Sequence, residues 1–261
     1  MRETLQNKMK DKFAAGGKAV GTLYQMGSET GVECLGIAGM DYLIIDTEHG
    51  PFGVERTADF IRAAELHNIT PLVRIEEISR RAVLKNLDIG AMGLIVPFVK
   101  TMDDIHKLVE YGKYAPMGDR GCAMERGVCY GKVPYNDNLQ HYFDTCNRAT
   151  SIIPQCETKE CLEIIEQVMA TEGIDGIFVG PNDLSISLGV GGQFDHPVFE
   201  AAVQRILKAA KDNNKFAMIY VSNHETGHRR LAEGFDAICF RIDTSVYIGA
   251  FQALVKEYEN D

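Results

Sequence analysis

Eight short apolar runs, each followed by a turn and then by a stretch with helical spacing, constrain the fold of this 261-residue chain more than any other feature. They fall at 19–25, 42–46, 71–75, 93–99, 151–157, 176–180, 216–221 and 237–242. Val, Ile, Leu and Phe dominate them, as in strands buried on both faces. Between them, apolar residues recur at helical spacing: Phe60, Ile61, Ala64 and Leu66 within 54–67, and Val203, Ile206, Leu207 and Ala210 within 198–211. Ser79, Thr101, Thr158 and Thr244 stand where N-caps are expected, and Gly112 and Gly234 where helices end. Alternating strands and helices predict a parallel sheet. Eight repeats, in a length close to the ~250 residues of one (β/α)8 barrel, predict an α/β protein folded as a single TIM barrel over residues 1–261. No Gly-rich dinucleotide fingerprint follows the first strand, which weighs against an open doubly wound sheet.

Two stretches stand outside the repeat. Residues 113–150 form an insertion with Pro116, Gly118, Gly121 and Gly131, then a polar helical pattern near 137–147. Connections of this length serve either an active site or packing and oligomer contact. Residues 244–258 read as the eighth helix.

The charge balance narrows the function classes. A formal net charge of −10 is the wrong sign for a nucleic-acid binder, and the pairs Arg80-Arg81 and Arg229-Arg230 read as solvated helix faces. Residues 1–18 are polar and charged, without the apolar centre of a secretion signal. No apolar run reaches the ~18 residues of a membrane span. A cytoplasmic location is the expectation. Seven cysteines lie scattered, and neither the Cys122/Cys129 nor the Cys156/Cys161 spacing is a zinc pattern. Reduced, mostly buried thiols follow.

Barrels of this kind carry their active sites at the carboxyl ends of the strands. There the chain places Asp46-Thr47-Glu48-His49-Gly50, Arg74, Gln155-Cys156-Glu157, Gly180-Pro181-Asn182-Asp183, and Arg241 with Asp243; Gln25, Lys100 and Ser222 offer less. A carboxylate ending an apolar strand is costly to desolvate unless paired or metal-bound. Glu157 and Asp183 are thus either two oxygen ligands of a Mg²⁺- or Mn²⁺-like ion or partners of arginines and caps. Gln155 and Glu157, two apart in a strand, point the same way, and Cys156 points toward the helices. His49 follows Asp46 by three residues, a spacing that lets a carboxylate orient an imidazole for proton transfer; Glu48 is the alternative acid–base group. Arg74 is available to an oxyanion or to a salt bridge with Asp46 or Glu76.

These segments resemble the HpcH/HpaI aldolase family over nearly the whole chain. The motifs that carry the likeness are Asp46-Thr47-Glu48-His49-Gly50, Val73-Arg74, Leu94-Ile95-Val96-Pro97, Pro116-Met117-Gly118-Asp119-Arg120-Gly121, Gln155-Cys156-Glu157-Thr158 and Val179-Gly180-Pro181-Asn182-Asp183-Leu184-Ser185, in that order. The resemblance implies a class II aldolase joining pyruvate to an aldehyde with Mg²⁺, Mn²⁺ or Co²⁺. It implies Glu157 and Asp183 as metal ligands, Arg74 as enolate stabiliser, and a His49–Asp46 dyad handling protons. Gln155 would contact pyruvate or a water, and the amides of Asn182 and Asp183 would hold the pyruvate carboxylate. It also implies a homo-oligomer, a trimer or hexamer, with the helix at 244–258 exchanged between subunits. Two regions depart from the family. Arg241-Ile242-Asp243-Thr244 replaces Gly-Val-Asp-Thr, and Cys122, Met124, Glu125 and Cys129 replace small and apolar residues in the insertion. Both are expected to shape the aldehyde pocket.

Rival expectations are an oxaloacetate decarboxylase or related lyase on the same metal–enolate site, a Schiff-base aldolase using Lys100, and a non-catalytic barrel binding protein.

Overall fold

The structure, a computed structural model, describes residues 5–259; the first four residues of the polar amino-terminal stretch lie outside it. Among the described residues, eight parallel strands close into a barrel in the order β1-β2-β3-β4-β5-β6-β7-β8. They are β1 (Ala19–Tyr24), β2 (Tyr42–Asp46), β3 (Thr70–Arg74), β4 (Gly93–Val96), β5 (Ser151–Cys156), β6 (Gly176–Val179), β7 (Phe216–Val221) and β8 (Ala237–Ile242). The helices are α1 (Lys8–Ala14), α2 (Glu29–Ile37), α3 (Val54–Leu66), α4 (Arg80–Asp88), α5 (Met102–Gly112), α6 (Leu139–Ala149), α7 (Lys159–Glu163), α8 (Ile165–Ala170), α9 (Pro181–Ser187), α10 (Pro197–Asp212), α11 (His224–Glu233) and α12 (Asp243–Tyr258). The expected TIM barrel is the observed one.

Strand alternation divides the apolar residues into two layers. Leu23, Ile44, Leu72, Ile95, Ile153, Phe178, Met218 and Cys239 fill the barrel interior. Their neighbours Leu43, Ile45, Val73, Leu94, Ile152, Ile177 and Ile219 face the helices, which is why the strands are apolar on both sides. Helix α1 plugs the amino-terminal end. Met9 is buried in the interior cluster, and the Asn7 side-chain amide donates to the carbonyls of Met92 and Ala149 at 3.1 and 2.9 Å.

Ser79, Thr101 and Thr158 cap helices as expected, each accepting a backbone N–H of the first turn. Gly234 ends α11 at φ 119°. Thr244 is not a cap: α12 begins one residue earlier, at Asp243. The Asp243 carboxylate accepts the amides of Gln25 and Met26, each at 2.9 Å, and so ties β8 to the end of β1.

The insertion builds a small core of its own from Tyr114, Val128, Val133, Tyr135, Tyr142 and Cys146. Its anchors lie at the ends of α3 and α4 and before β5 and β6. Arg120 pairs with Asp88 at 3.0 Å, and Arg126 with Glu65 and the Ile89 carbonyl. Lys113 donates to Asp175 and the Thr150 carbonyl, both at 2.8 Å. These are features of the barrel's amino-terminal face. Within one chain the insertion is therefore anchored opposite the strand ends where an aldehyde pocket was expected. All seven cysteines are free, and Cys146, Cys156, Cys161 and Cys239 are buried. Among the described residues no helix is long and apolar enough to cross a membrane.

Candidate active site

The carboxyl ends of β2, β3, β5 and β6 bring most of the sequence-selected residues to one mouth. The register pairs Asp46 of β2 directly with Arg74 of β3. The Asp46 carboxylate is fully buried and takes Arg74 in a fork, Nε to Oδ1 at 2.9 Å and Nη2 to Oδ2 at 2.7 Å. Gln25 Nε2 donates to Oδ2 at 2.6 Å. Burial alone would raise the Asp46 pKa; the Arg74 guanidinium, helped by Gln25 and the His49 amide, outweighs it and holds the carboxyl below its ordinary value.

The sequence paired the Asp46 carboxylate with the His49 ring. The structure joins them only through the backbone, His49 N to Asp46 Oδ1 at 3.3 Å, because Arg74 and Gln25 already occupy that carboxylate. The His49 ring is turned outward, with its side chain 65% exposed, and Nε2 is 3.8 Å from Glu48 Oε2. Glu48 in turn lies 3.2 Å from Arg74 Nη1. Burial raises the Glu48 pKa; Arg74 and His49 pull it back, while the charges of Asp46 and Asp183 push it further up.

Gln155 and Glu157 do point to the same side. The Gln155 side-chain amide donates to Glu157 Oε2, and Cys156 lies between them in the helix-facing layer. The Phe98 amide donates to Glu157 Oε1 at 2.7 Å. Phe98 adopts φ 57° just after β4, which ends that strand three residues earlier than its apolar run suggested. Sequence reasoning missed this second-strand contribution; Pro97 was the one signal of a break. Gly180 gives the carboxylate room: a Cβ there would lie 2.9 Å from Glu157 Oε2 and 3.0 Å from Gln155 Nε2.

Glu157 is buried, yet among the described residues no cation lies within ion-pair distance of it. Burial raises its pKa; the Phe98 amide and Gln155 offset part of this, and the charges of Glu48 and Asp183 add to it. Asp183 is exposed in the first turn of α9. Gln155 Oε1 is buried without a hydrogen-bond partner.

Among the described residues no group of three or more His, Cys, Asp and Glu side chains is arranged to hold a metal ion. The donor set nevertheless fits a hard divalent ion that keeps several non-protein ligands, since Mg²⁺ is commonly held by only one or two carboxylates. The candidate carboxylates are Glu157 and Asp183, whose charges repel, with the unsatisfied Gln155 Oε1 at the same strand end.

Comparison with known proteins agrees with this geometry. Residues 23–250 match the family model "HpcH/HpaI aldolase/citrate lyase". The chain is 32% identical over 254 residues to a 5-keto-4-deoxy-D-glucarate aldolase of Klebsiella pneumoniae, covering 97% of both chains. It is 28% identical over 256 residues to a 4-hydroxy-2-oxo-heptane-1,7-dioate aldolase of Escherichia coli, covering 97% of this chain and 95% of that one. The solved structure of an HpcH/HpaI aldolase/citrate lyase family protein from Burkholderia cenocepacia superposes with a TM-score of 0.88 at 29% identity, covering 97% of this chain and all of that one. With its barrel, its strand-end motifs and a likeness running almost from end to end, the chain belongs to the HpcH/HpaI aldolase/citrate lyase family and is an enzyme.

Proposed function

We propose that the chain is a divalent-metal-dependent aldolase, reversibly joining pyruvate enolate to an aldehyde to give a 4-hydroxy-2-oxo acid. One observation carries this reading: Glu157 is buried without a cation, facing Asp183 and Glu48, beside an arginine held rigidly at the same mouth. A buried carboxylate with no ion-pair partner carries a desolvation cost that its two amide donors offset only in part, and an ion at this point would offset the rest.

Glu157 and Asp183 would hold Mg²⁺, Mn²⁺ or Co²⁺, which when bound supplies Lewis-acid polarisation of a 2-oxo acid. Arg74 meets the negative charge that develops on the keto oxygen as the methyl proton leaves. Asp46 aligns it by occupying Nε and Nη2, leaving Nη1 toward Glu48 and the mouth. Glu48, 3.2 Å from Arg74 Nη1, and His49, 3.8 Å from Glu48, are the candidate acid–base groups. Burial raises the Glu48 carboxyl above its ordinary value, which favours its use as a proton donor, and the exposed His49 ring would pass a proton through water to the new alkoxide. Asp46 then acts by aligning Arg74 rather than as the proton partner of the His49 ring. Gln155, with its unpartnered Oε1, is the polar contact for pyruvate or a water. The amides of Asn182 and Asp183, at the start of α9, are offered to the pyruvate carboxylate. Oxaloacetate yields the same enolate on losing CO₂, so decarboxylation is an expected side reaction.

We infer a homo-oligomer, a trimer or hexamer, in which α12 is exchanged. Val246, Tyr247, Phe251, Leu254, Val255 and Tyr258 of α12 are all exposed. Beside its start, a largely apolar cavity of about 730 Å³ opens among β1, α2, α11 and β8, lined by residues including Val20, Leu35, Leu231 and Phe240. An apolar helix face and an apolar groove of this size support mutual exchange between copies. Seven unpaired cysteines fit a reducing compartment, which supports a cytoplasmic location.

The test is metal removal. A chelator should abolish aldol turnover, and Mg²⁺, Mn²⁺ or Co²⁺ should restore it. Full turnover with metal stripped, together with a borohydride-trapped pyruvate adduct on Lys100, would replace this reading with Schiff-base chemistry.

A further inference from the structure

We propose that Gln25, anchored by Asp243, is a positioning residue for the reaction, bracing the Asp46 carboxylate and through it the aim of Arg74; this rests on the aldolase reading above. Gln25 stands one residue past the end of β1. Its Nε2 donates to Asp46 Oδ2 at 2.6 Å, the oxygen that also takes Arg74 Nη2 at 2.7 Å. Among the described residues it is the one side chain besides Arg74 that hydrogen-bonds Asp46, since His49 contributes a backbone amide. A fork of two parallel bonds fixes an arginine only as well as the carboxylate itself is fixed. Strands β1 and β3 flank β2. Gln25 reaches Asp46 from one side and Arg74 from the other, so the carboxylate is braced between them.

A long side chain on a loop loses rotamer freedom when it is held, so the brace needs a firm root. Asp243, the first residue of α12, supplies it. Its buried carboxylate takes the Gln25 amide on Oδ1 and the Met26 amide on Oδ2, each at 2.9 Å. Oδ1 also takes the Thr244 amide at 2.8 Å. Backbone amides, not a cation, are its partners among the described residues. Charge-assisted bonds to two consecutive amides hold the backbone at 25–26 in one orientation.

The β8 backbone is bent to put Asp243 there. From Gly21↔Cys239 to Leu23↔Ile242, three steps along β8 match two along β1. Arg241, inside this bulge, takes φ 55°, a conformation that residues other than glycine rarely adopt. A bulge re-aims the residues beyond it. Here Ile242 stays against the interior cluster, and Asp243 comes level with Tyr24, just short of the two amides it accepts. Backbone strain of this kind persists where the surrounding structure over-determines it, and it collects at active sites. The line from Asp243 through Gln25 and Asp46 to Arg74 gives it a use. Simple closure of the turn after β1 would need Asp243 but not the Gln25 side chain, whose bond to Asp46 carries the effect to the reacting end.

The test measures exchange of pyruvate methyl protons by the Mg²⁺-loaded enzyme, with kcat and KM resolved. It compares wild type, Gln25→Met, Asp243→Asn, Asp46→Asn and the double variants that join Gln25→Met to each of the other two. Methionine keeps the length of glutamine and lacks the donor. Gln25 is half-buried on a loop, so Gln25→Met should fold as the wild type does, which thermal unfolding checks. Asp243→Glu, which keeps the charge and lengthens the arm, takes the place of Asp243→Asn should that variant not fold, with the same loss expected. Misplacing a reacting group by an ångström costs about 10²-fold. Loss of one brace among several should lower kcat by about tenfold in Gln25→Met and in Asp243→Asn, with KM changed by less than about twofold. Because the three residues act in series, Gln25→Met should add less than about twofold to Asp46→Asn or to Asp243→Asn. A wild-type kcat in Gln25→Met, equal changes in kcat and KM, or losses that multiply in the double variants overturn the proposal, while exchange by the wild type keeps the aldolase reading. Absence of exchange from the wild type overturns both.

Discussion

Arg74 places Nε and Nη2 on Asp46 and Nη1 on Glu48. That arrangement makes Asp46 a positioning residue whose removal should damage chemistry more than substrate binding. Asp46→Asn keeps the shape but loses the charge and half of the fork. We expect pyruvate proton exchange to fall by roughly 10²-fold, the cost of disabling one oxyanion donor, with a smaller change in KM. Arg74→Lys should not rescue exchange, because an ammonium cannot satisfy Asp46 bidentately. Equal losses in kcat and in substrate affinity for Asp46→Asn would argue for a general structural role instead. At this scale the sequence exposed which residues gather at the mouth but not how they pair. His49 and Asp46 are neighbours in the chain, and that proximity suggested a dyad; the β2–β3 register, which sets Asp46 opposite Arg74, decided otherwise. The Phe98 amide that holds Glu157 was invisible because a backbone donor has no residue type to read.

Elements were far more legible. Each strand falls on its apolar run, β3 alone starting one residue before it, since a barrel strand must be apolar on both faces, and the Ser79, Thr101 and Thr158 caps followed from short polar side chains before helical spacing. The shortening of β4 and the early start of α12 came from local backbone, where pattern carries little information. Helix α1 was not foreseen, because seven mostly polar residues gain their place only by plugging the barrel end. The insertion's anchor was equally hidden: Lys113 is buried, and its ammonium reaches Asp175, Thr150 and Asn147. Burial would push the Asp175 carboxyl up, but Lys113 and Lys10 outweigh it and hold it below its ordinary 3.8. A lowered folded-state pKa contributes stability above the unfolded value that is lost as pH falls through the folded one. Stability should therefore drop on acidification below about pH 4. Asp175→Asn should remove this component and flatten the profile, while costing about 3–5 kcal/mol at pH 7 by stranding Lys113, a fall in Tm of roughly 6–20 °C. Thermal unfolding from pH 3 to pH 8 measures both; an unchanged acid limb in Asp175→Asn would show that the pair does not set it.

For the whole molecule, the barrel separates two tasks. Its amino-terminal face is closed by α1 and the insertion, and its carboxyl-terminal face collects charge that the fold leaves uncompensated. On the proposed reading, the exposed apolar side of α12 serves assembly. Phe251→Glu with Tyr247→Glu should shift the sedimenting species toward monomer, because two charges would enter an apolar groove; unaltered sedimentation would remove α12 from the interface. The central claim is that Glu157 and Asp183 share an ion that makes a 2-oxo acid easier to deprotonate. Its most direct measurement is exchange of pyruvate methyl protons in D₂O, followed by NMR while Mn²⁺ or Mg²⁺ is titrated into wild type, Glu157→Gln and Asp183→Asn. We expect saturable, ion-dependent exchange in the wild type and its near-complete loss in both variants. Exchange that proceeds without the ion, or that survives in either variant at wild-type ion concentrations, would contradict the account.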